Sequence, residues 1–464
     1  MNTLSIRQRK IIYGLLILLL LLPIIWLGRP ASGTGPDDDP GGTLAKLRQP
    51  EEEGEYGLSE HSLGKVDPTS AAMQLVLLGF RGVAANQLWL QYDHYYETKQ
   101  WAQMRSTTDT ILRLQPHFVK VWDHHGWNLA YNVGADWDDV RDRYYWIKEG
   151  AKFIRRGTEV NRNSPELNYE IGRIISWKIG MADEWRFYRR FFNPAGPQYA
   201  DIPADEKGDP NPMWRGGPDT DLNPDGVDNY VAARRWFLKA NNLEARGFEQ
   251  NRMMQHIFRS YPYRCRLDYA GTLNREGFYG DIAMTAWETG RDEWIGQYGQ
   301  EEFTAQECLV KLESTEEDYR RLARKSGVGP SVVRATTLRY QNIVNYRYWR
   351  TRSRSESKPE TAEAHRKLYE GEKKFEEYKL SEARTLLITG LTQFEVVLQQ
   401  FEDLRAEDLV VEEALWALML VKKVDDLLER SPAVDLPLTG LWNRHLNGKV
   451  PQLQFKFNRL YGGL

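Results

Sequence analysis

Residues 112–132 read LRLQPHFVKVWDHHGWNLAYN, the pattern of a helix that ends, a turn at Pro116 and a second helix that begins. Apolar or small residues recur at steps of three and four on both sides of the proline, which is the period of an amphipathic helix. They are Trp101, Met104, Thr108 and Ile111 before it, and Trp122, Gly126, Leu129 and Val133 after it. A chain that repeatedly folds one such helix back on the next builds an α-solenoid, a scaffold that usually binds other molecules.

The helical period continues along the chain and predicts an all-α body of antiparallel helix pairs. It is interrupted by a long insertion rich in Pro, Gly and Asp, and long insertions are often functional. The predicted parts are an N-terminal helical array at 69–192, the inserted loop at 193–227, a middle helical region at 228–350, a C-terminal pair with a following helix at 360–430, and an unassigned C-terminal segment at 431–464.

Two local predictions concern the middle region. Arg259–Tyr263 contains Pro262 and predicts a turn, because proline interrupts helices. Residues 331–350 predict a single helix, followed by a polar break from Ser353 to Glu360.

The N-terminus predicts one membrane-spanning helix. Residues 11–27 are an unbroken apolar run, just long enough to cross a bilayer core at about 1.5 Å per residue. Arg7, Arg9 and Lys10 precede it, which places residues 1–10 in the cytoplasm and the rest of the chain outside. A cleaved signal peptide is the alternative, but no clear small-x-small cleavage site follows the run, so an uncleaved anchor is favoured.

Residues 28–68 predict a flexible acidic spacer between the membrane and the folded body. The segment is rich in Gly and Pro and contains the acidic runs Asp37–Asp39 and Glu51–Glu53, with almost nothing large and apolar. Such a segment cannot offset its own ordering entropy by burial. The acidic runs could bind a basic partner, although a solvated linker is the ordinary interpretation.

The composition limits the classes of molecule that the chain could bind. A formal net charge of −3 without a concentrated basic stripe argues against nucleic acid. The 16 Trp and 24 Tyr residues are many for a helical scaffold, so aromatic rings either fill the core or line a groove. Cys265 and Cys308 are the only cysteines, and their spacing leaves open whether they form a disulfide.

Four histidines, His94, His117, His124 and His125, fall in the first third of the chain. A metal site needs at least three converging ligands, but adjacent helical residues such as His124 and His125 diverge by about 100°. Aromatic packing between helices is therefore favoured over a metal site.

A second metal candidate lies in the inserted loop. Asp221, Asn223 and Asp225, with the carbonyl of Val227, match the start of an EF-hand calcium loop. The twelfth position, which should supply a bidentate Glu, is Ala232. A turn stabilised by Asn and Asp side chains, with Asp228 capping the next helix, is favoured, and no metal or cofactor is predicted.

The candidate partner-binding face is on the second helix of the opening stretch. Trp127, Asn128, Tyr131 and Asn132 are more polar than the packing stripe, and each Asn amide could both donate to and accept from a peptide backbone. The alternative, that these amides satisfy neighbouring turns inside an aromatic core, is left open.

Several residues resemble the tetratricopeptide repeat (TPR), a helix-turn-helix unit of about 34 residues. Trp122 and Gly126 match its first-helix pair, while Gly371, Ala383 and Gly390 match the spacing of small residues between its helices. The resemblance implies that these five residues pack helices together. With the anchor, the whole chain resembles membrane-anchored bacterial TPR proteins of undefined role, which implies a single-pass protein of the cytoplasmic membrane.

The function predicted is therefore a non-catalytic scaffold of the cell envelope that binds protein partners, which could include a membrane complex. No Gly-rich phosphate loop, nucleophile elbow or Cys/His pair emerges, and no catalytic residue is assigned. The alternative is an envelope enzyme or carbohydrate-binding protein that uses the aromatic and His-rich N-terminal half.

Overall fold

The computed structural model describes residues 81–193, 222–248, 252–305, 308–430 and 436–462, together with Leu19. This part of the chain is predominantly α-helical, as the sequence period predicts. Apart from Leu19, the predicted span at 11–27 lies outside the described residues, as do the spacer at 28–68 and most of the inserted loop. No helix within the described ranges is long and apolar enough to cross a membrane.

The helices before the inserted loop are interrupted by two π-helical segments, Leu129–Val133 and Ile174–Lys178, and a 3₁₀ turn at Gly134–Asp136. The α-helices are α1 (Arg81–Glu97), α2 (Trp101–Leu114), α3 (Val119–Asn128), α4 (Val140–Val160), α5 (Pro165–Arg173), α6 (Ile179–Met181) and α7 (Trp185–Phe192).

After the loop, helices again dominate, with 3₁₀ turns at Tyr298–Gln300 and Glu402–Ala406. They are α8 (Asn229–Ala245), α9 (Arg252–Arg275), α10 (Asp281–Gly296), α11 (Glu316–Ser326), α12 (Pro330–Ile343), α13 (Tyr346–Glu356), α14 (Pro359–Glu376), α15 (Leu380–Gln400), α16 (Asp408–Leu427), α17 (Thr439–His445) and α18 (Lys449–Tyr461). A two-stranded antiparallel hairpin, β1 (Phe303–Ala305) and β2 (Cys308–Val310), pairs Phe303 with Val310.

The described chain divides into two compact units. The first contains residues 81–128 and 152–167. Its α1 packs on α2, and its buried core includes Tyr92, Met104 and Ile111. Trp122 covers Gly157, where an added β-carbon would lie 2.9 Å from the indole.

The second unit contains residues 129–151 and the described chain from 168 onward. Here α9 packs between α8 and α10, α14 pairs with α15, and α16 packs on both α15 and α18. The C-terminal segment, which the sequence left unassigned, contributes α17 and α18 and buries Leu441, Leu453 and Phe457.

The turn predicted at Arg259–Tyr263 is wrong, because Pro262 lies inside α9. An interior proline costs a helix about 3 kcal/mol. Burial of Phe258, Leu267 and Leu273 on the same helix offsets that cost, since each large buried side chain contributes about 1.5–3 kcal/mol.

The single helix predicted at 331–350 is also wrong. Asn345 has a left-handed φ of 53° and separates α12 from α13. The predicted polar break is shorter than expected, because α13 continues to Glu356 and buries Ser353 and Ser355. Cys265 and Cys308 are both buried and carry free thiols, so they are not joined.

Candidate functional site

None of the four residues of the predicted partner-binding face is fully exposed. Asn128 is 2% exposed, and its amide donates to Tyr92 Oη at 2.8 Å. Trp127 is half-buried at the end of α3. Tyr131 and Asn132 are half-buried in the π-helical segment, and Lys178 Nζ lies 5.2 Å from the Tyr131 ring. Asn128 therefore stabilises the interior of the first unit instead of presenting its amide to a ligand.

The early histidines lie among aromatic rings and polar side chains. His125 is fully buried, with Nδ1 at 3.3 Å from Tyr92 Oη and its ring 4.6 Å from that of Phe153. Burial lowers the pKa of His125 to about 3, so it is neutral at physiological pH. His117 Nδ1 lies 3.3 Å from Asn161 Oδ1. Across the described ranges, no three His, Cys, Asp or Glu side chains are arranged to hold a metal ion.

In the part of the candidate calcium loop that the structure describes, the loop's own side-chain and backbone groups hydrogen-bond to one another. Asn223 Oδ1 accepts from Val227 N at 2.9 Å, and Asn223 Nδ2 donates to Val227 O at 2.8 Å. Asp225 pairs with Arg235, and Asp228 caps α8 by accepting from Tyr230 N at 2.9 Å. Asp221 lies outside the described residues. The oxygens of Asn223 and Val227 are thus already engaged by the loop itself.

The residues predicted to pack repeats together are all buried. Trp122 donates from Nε1 to Pro116 O at 2.8 Å, and Gly126 is buried on the same helix. Gly371, Ala383 and Gly390 are buried in α14 and α15.

A cavity of about 690 Å³ lies wholly within the second unit. Four helices, α9, α13, α14 and α16, each line it with residues spaced three and four apart, as the helical period requires, and α7 adds the adjacent Trp185 and Arg186. The main lining positions are Trp185 and Arg186 on α7, Arg264, Asp268, Thr272 and Arg275 on α9, Trp349, Arg352 and Glu356 on α13, His365, Tyr369 and Glu372 on α14, and Leu409, Glu413 and Trp416 on α16.

The turn after α9 shapes this cavity. Gly277 has a φ of 90°, which disfavours a residue with a side chain. A β-carbon there would also lie 2.7 Å from the ring of Tyr369. Glycine at this position lets Tyr369 approach the backbone and brings Tyr279, 5.9 Å from it between ring centroids, into the lining.

His365 joins two carboxylates in the cavity lining. Its Nδ1 lies 2.5 Å from Glu413 Oε1 and its Nε2 lies 3.4 Å from Glu356 Oε2. Burial alone would lower the pKa of His365, but Glu413 and Glu356 outweigh it and raise that pKa to about 10. The imidazole is therefore doubly protonated at neutral pH, with a carboxylate at each nitrogen.

Glu356 is shared with Arg352, whose Nε lies 3.2 Å from Glu356 Oε1. Burial opposes the charged form of Glu356, yet His365 and Arg352 together lower its pKa to about 2. Arg352 also donates to Tyr348 Oη at 2.7 Å. At this end of the cavity, Glu356 of α13, His365 of α14 and Glu413 of α16 therefore each have an oppositely charged partner in the protein.

A second matched pair lies on α9. Arg264 Nε is 2.9 Å from Asp268 Oδ1, and the guanidinium carbon lies 3.7 Å from the ring centroid of Trp349. Burial raises the pKa of Asp268, and Arg264 opposes that shift. On the α14 wall, Glu372 Oε1 accepts from Trp416 Nε1 at 2.9 Å and from Tyr461 Oη at 3.2 Å.

The rim formed by α7 and α9 differs from the rest of the cavity. Arg275 and Arg186 both lie against Trp185, with guanidinium carbons 4.6 and 5.4 Å from its ring centroid. No carboxylate of the described residues lies within ion-pair distance of Arg186 or Arg275. The two arginines of this rim, which we call the Trp185 rim (Trp185, Arg186 and Arg275), therefore have no ion-pair partner among the described residues.

Only some of the residues that line this cavity could be recognised from the sequence. Arg264 and Asp268, and likewise Arg352 and Glu356, are pairs four apart on predicted helices and could be recognised as such. Their convergence with α7, α14 and α16 depends on tertiary packing between distant segments, which helical period alone does not specify.

Comparison with protein-family models gives no match to this chain, and none of the curated proteins is similar to it.

Proposed function

We propose that this protein is a non-catalytic helical scaffold that binds a segment of a protein partner in the cavity of its second unit. The observation that carries the proposal is the cavity itself, about 690 Å³ in volume and lined by aromatic rings with matched ion pairs. Concave sites of about 300–1,000 Å³ with aromatic walls and a few placed polar groups are typical binding sites.

The state of the carboxylates favours binding over acid–base catalysis. Asp268, Glu356 and Glu413 each face a cation of the protein, and Glu372 accepts two hydrogen bonds. A general acid or base must exchange its proton with a substrate, and these carboxylates are held by protein groups instead.

The fold proposed for the scaffold is a TPR-like α-solenoid. The closely packed α14–α15 hairpin, with small residues at the contact, supports a helical-repeat arrangement. We further propose that residues 11–27 anchor the chain in a bacterial cytoplasmic membrane, with residues 1–10 inside, 28–68 as a spacer and the helical body outside. The basic flank Arg7, Arg9 and Lys10 supports that orientation.

A carbohydrate-binding role is the second candidate, since Trp185, Trp349 and Trp416 line the cavity. Sugars stack on open indole faces, but Arg275 lies against the Trp185 ring and Arg264 against the Trp349 ring. Trp416 packs on Phe457, with 5.2 Å between ring centroids. These contacts favour a peptide over a sugar.

The test is affinity capture from envelope extracts with the full-length chain in detergent. Leu409 lies at the edge of the cavity and is 59% exposed, so Leu409→Asp adds charge to the site at little cost to folding. We expect a partner that the wild-type chain retains and Leu409→Asp loses.

The matched control is Leu446→Asp, which changes a leucine that is 49% exposed outside the cavity lining. Retention of the same partner by all three chains, or its loss from both variants alike, would place binding elsewhere. Tight glycan binding without a protein partner would favour the second candidate.

A further inference from the structure

The arginines that line the cavity are unevenly paired. Arg264 and Arg352 each have an acidic residue four positions on along their own helix, at 2.9 and 3.2 Å. Arg186 and Arg275 have no such partner among the described residues, although they lie at the same cavity. An arginine that the protein leaves unmatched beside a cavity is available to an anion from outside.

Arg275 is held in position without being neutralised. Its Nη2 donates to Thr272 Oγ1 at 2.6 Å and to Gly180 O at 3.4 Å, both neutral acceptors. Its guanidinium lies 4.6 Å from the Trp185 centroid, which restricts the plane of the group. Because Nη2 makes both of these hydrogen bonds, Nε and Nη1 are the donors left for a ligand. A fixed guanidinium loses less entropy when it binds a carboxylate, so this geometry favours affinity.

We infer that the Trp185 rim binds the carboxylate of an acidic residue in a partner peptide, with Arg186 and Arg275 holding that carboxylate beside Trp185. This inference rests on the proposed function and specifies its ligand. Charge-assisted hydrogen bonds from guanidinium to carboxylate are about twice as strong as neutral ones.

The other residues that line the cavity indicate which side chains the rest of the peptide carries. Met181, Tyr369 and Leu409 supply apolar surface in the same cavity. Glu372 lines the α14 wall, where its Oε1 accepts from the neutral donors Trp416 and Tyr461, and it would repel a second negative charge. The cavity therefore suits a peptide with an acidic residue beside apolar ones, and disfavours a polyanion such as a nucleic acid.

The experiment uses random peptides displayed on phage, selected on the full-length chain in detergent. We expect enriched sequences that combine Asp or Glu with neighbouring apolar residues. For a peptide synthesised from that consensus, the double variant Arg186→Gln/Arg275→Gln should raise the Kd about tenfold, and Arg186→Lys/Arg275→Lys should raise it less. Both side chains are exposed, so thermal unfolding of the double variant should match that of the wild type.

The control is Arg291→Gln/Arg347→Gln, which removes two arginines outside the cavity lining and should leave the Kd unchanged. No enrichment, a neutral or basic consensus, or an acidic consensus bound equally by Arg186→Gln/Arg275→Gln would overturn the inference. Displacement of the peptide by an equal concentration of inorganic phosphate would overturn the peptide assignment, since the rim would then bind any oxyanion.

Failure of this inference is distinguishable from failure of the proposed function. If a partner is lost with Leu409→Asp but retained by the Arg186→Gln/Arg275→Gln variant, the proposal of a partner-binding scaffold stands. The proposal that its ligand is an acidic peptide then fails.

Discussion

Leu387 on α15 fills the space in front of Gly371 on α14. A β-carbon on Gly371 would lie 2.8 Å from Leu387 Cγ and 3.1 Å from its backbone nitrogen. The relationship is reciprocal, because a β-carbon on Gly390 of α15 would lie 2.8 Å from Leu368 Cδ2 of α14. Both leucines also line the cavity, so the close approach of these two helices sets the position of one of its walls.

The first prediction is that Gly390→Ala destabilises the protein by about 1–3 kcal/mol, the usual cost of overpacking. Leu368 can turn its side chain away, but its backbone nitrogen, 3.1 Å from the new β-carbon, can move only with α14. Urea unfolding followed by circular dichroism measures the change.

Its control is Gly440→Ala on α17, where nothing lies within 4 Å of the added β-carbon. Alanine forms helices better than glycine, so stability should stay the same or rise by up to about 1 kcal/mol. Equal losses in the two variants would show that α14 and α15 are not closely packed.

The second prediction concerns pH. The pKa of His365 rises from 6.5 to about 10 on folding, so its stabilising effect is complete below pH 6.5 and is lost as the pH rises toward 10. The pKa of Glu356 falls from 4.5 to about 2, so its effect is present above pH 4.5 and is lost as the pH falls toward 2. The pair should stabilise the fold most between pH 4.5 and 6.5.

The measurement is the difference in Tm between the wild type and His365→Gln as the pH rises from 6 to 9. We expect a larger difference near pH 6 than near pH 9. A difference that does not change with pH would contradict a protonated His365 between Glu356 and Glu413.

The third prediction concerns Arg189, which anchors α7 behind the Trp185 rim. Its side chain is 1% exposed and pairs with Asp228 at 2.9 Å and Glu276 at 2.8 Å. Arg189→Met would leave two carboxylates, each 9% exposed, without this cation, and should cost about 3–5 kcal/mol.

Hydrogen exchange should also accelerate in α7 of Arg189→Met, because the bonds from that helix to Asp228, just before α8, and to Glu276, just after α9, are lost. For comparison, Arg291→Met removes a pair with Asp292, which is 68% exposed, and should cost no more than about 1 kcal/mol. Similar losses in both variants would argue against a buried network at Arg189.

The sequence predicted the helices more reliably than the site. Apolar residues recur at steps of three and four from Leu380 to Phe401, and this pattern predicts a helix without knowledge of the segments that pack against it. In the structure, α15 spans Leu380–Gln400. The turn at Pro262 failed because burial in α9 offset a local preference. The short β-hairpin was not predicted, since three-residue strands carry too little alternation to detect.

The cavity was harder to predict for a different reason. Trp185 and Trp416 lie more than two hundred residues apart in sequence, yet they line one space. Asn128 and Asn132 were predicted to bind a partner because they share a predicted helix, but Asn128 is buried against Tyr92. Whether a side chain on a helix is buried or exposed depends on which neighbouring element covers it.

The most direct test of partner binding in the cavity is photo-crosslinking in intact cells. The crosslinking amino acid p-benzoylphenylalanine replaces Tyr369, an aromatic residue of the cavity, or Phe455, which is 75% exposed outside the lining. We expect an adduct with one protein from position 369 and none from position 455. Equal adducts from both positions, or an adduct from position 455 alone, would contradict partner binding in the cavity.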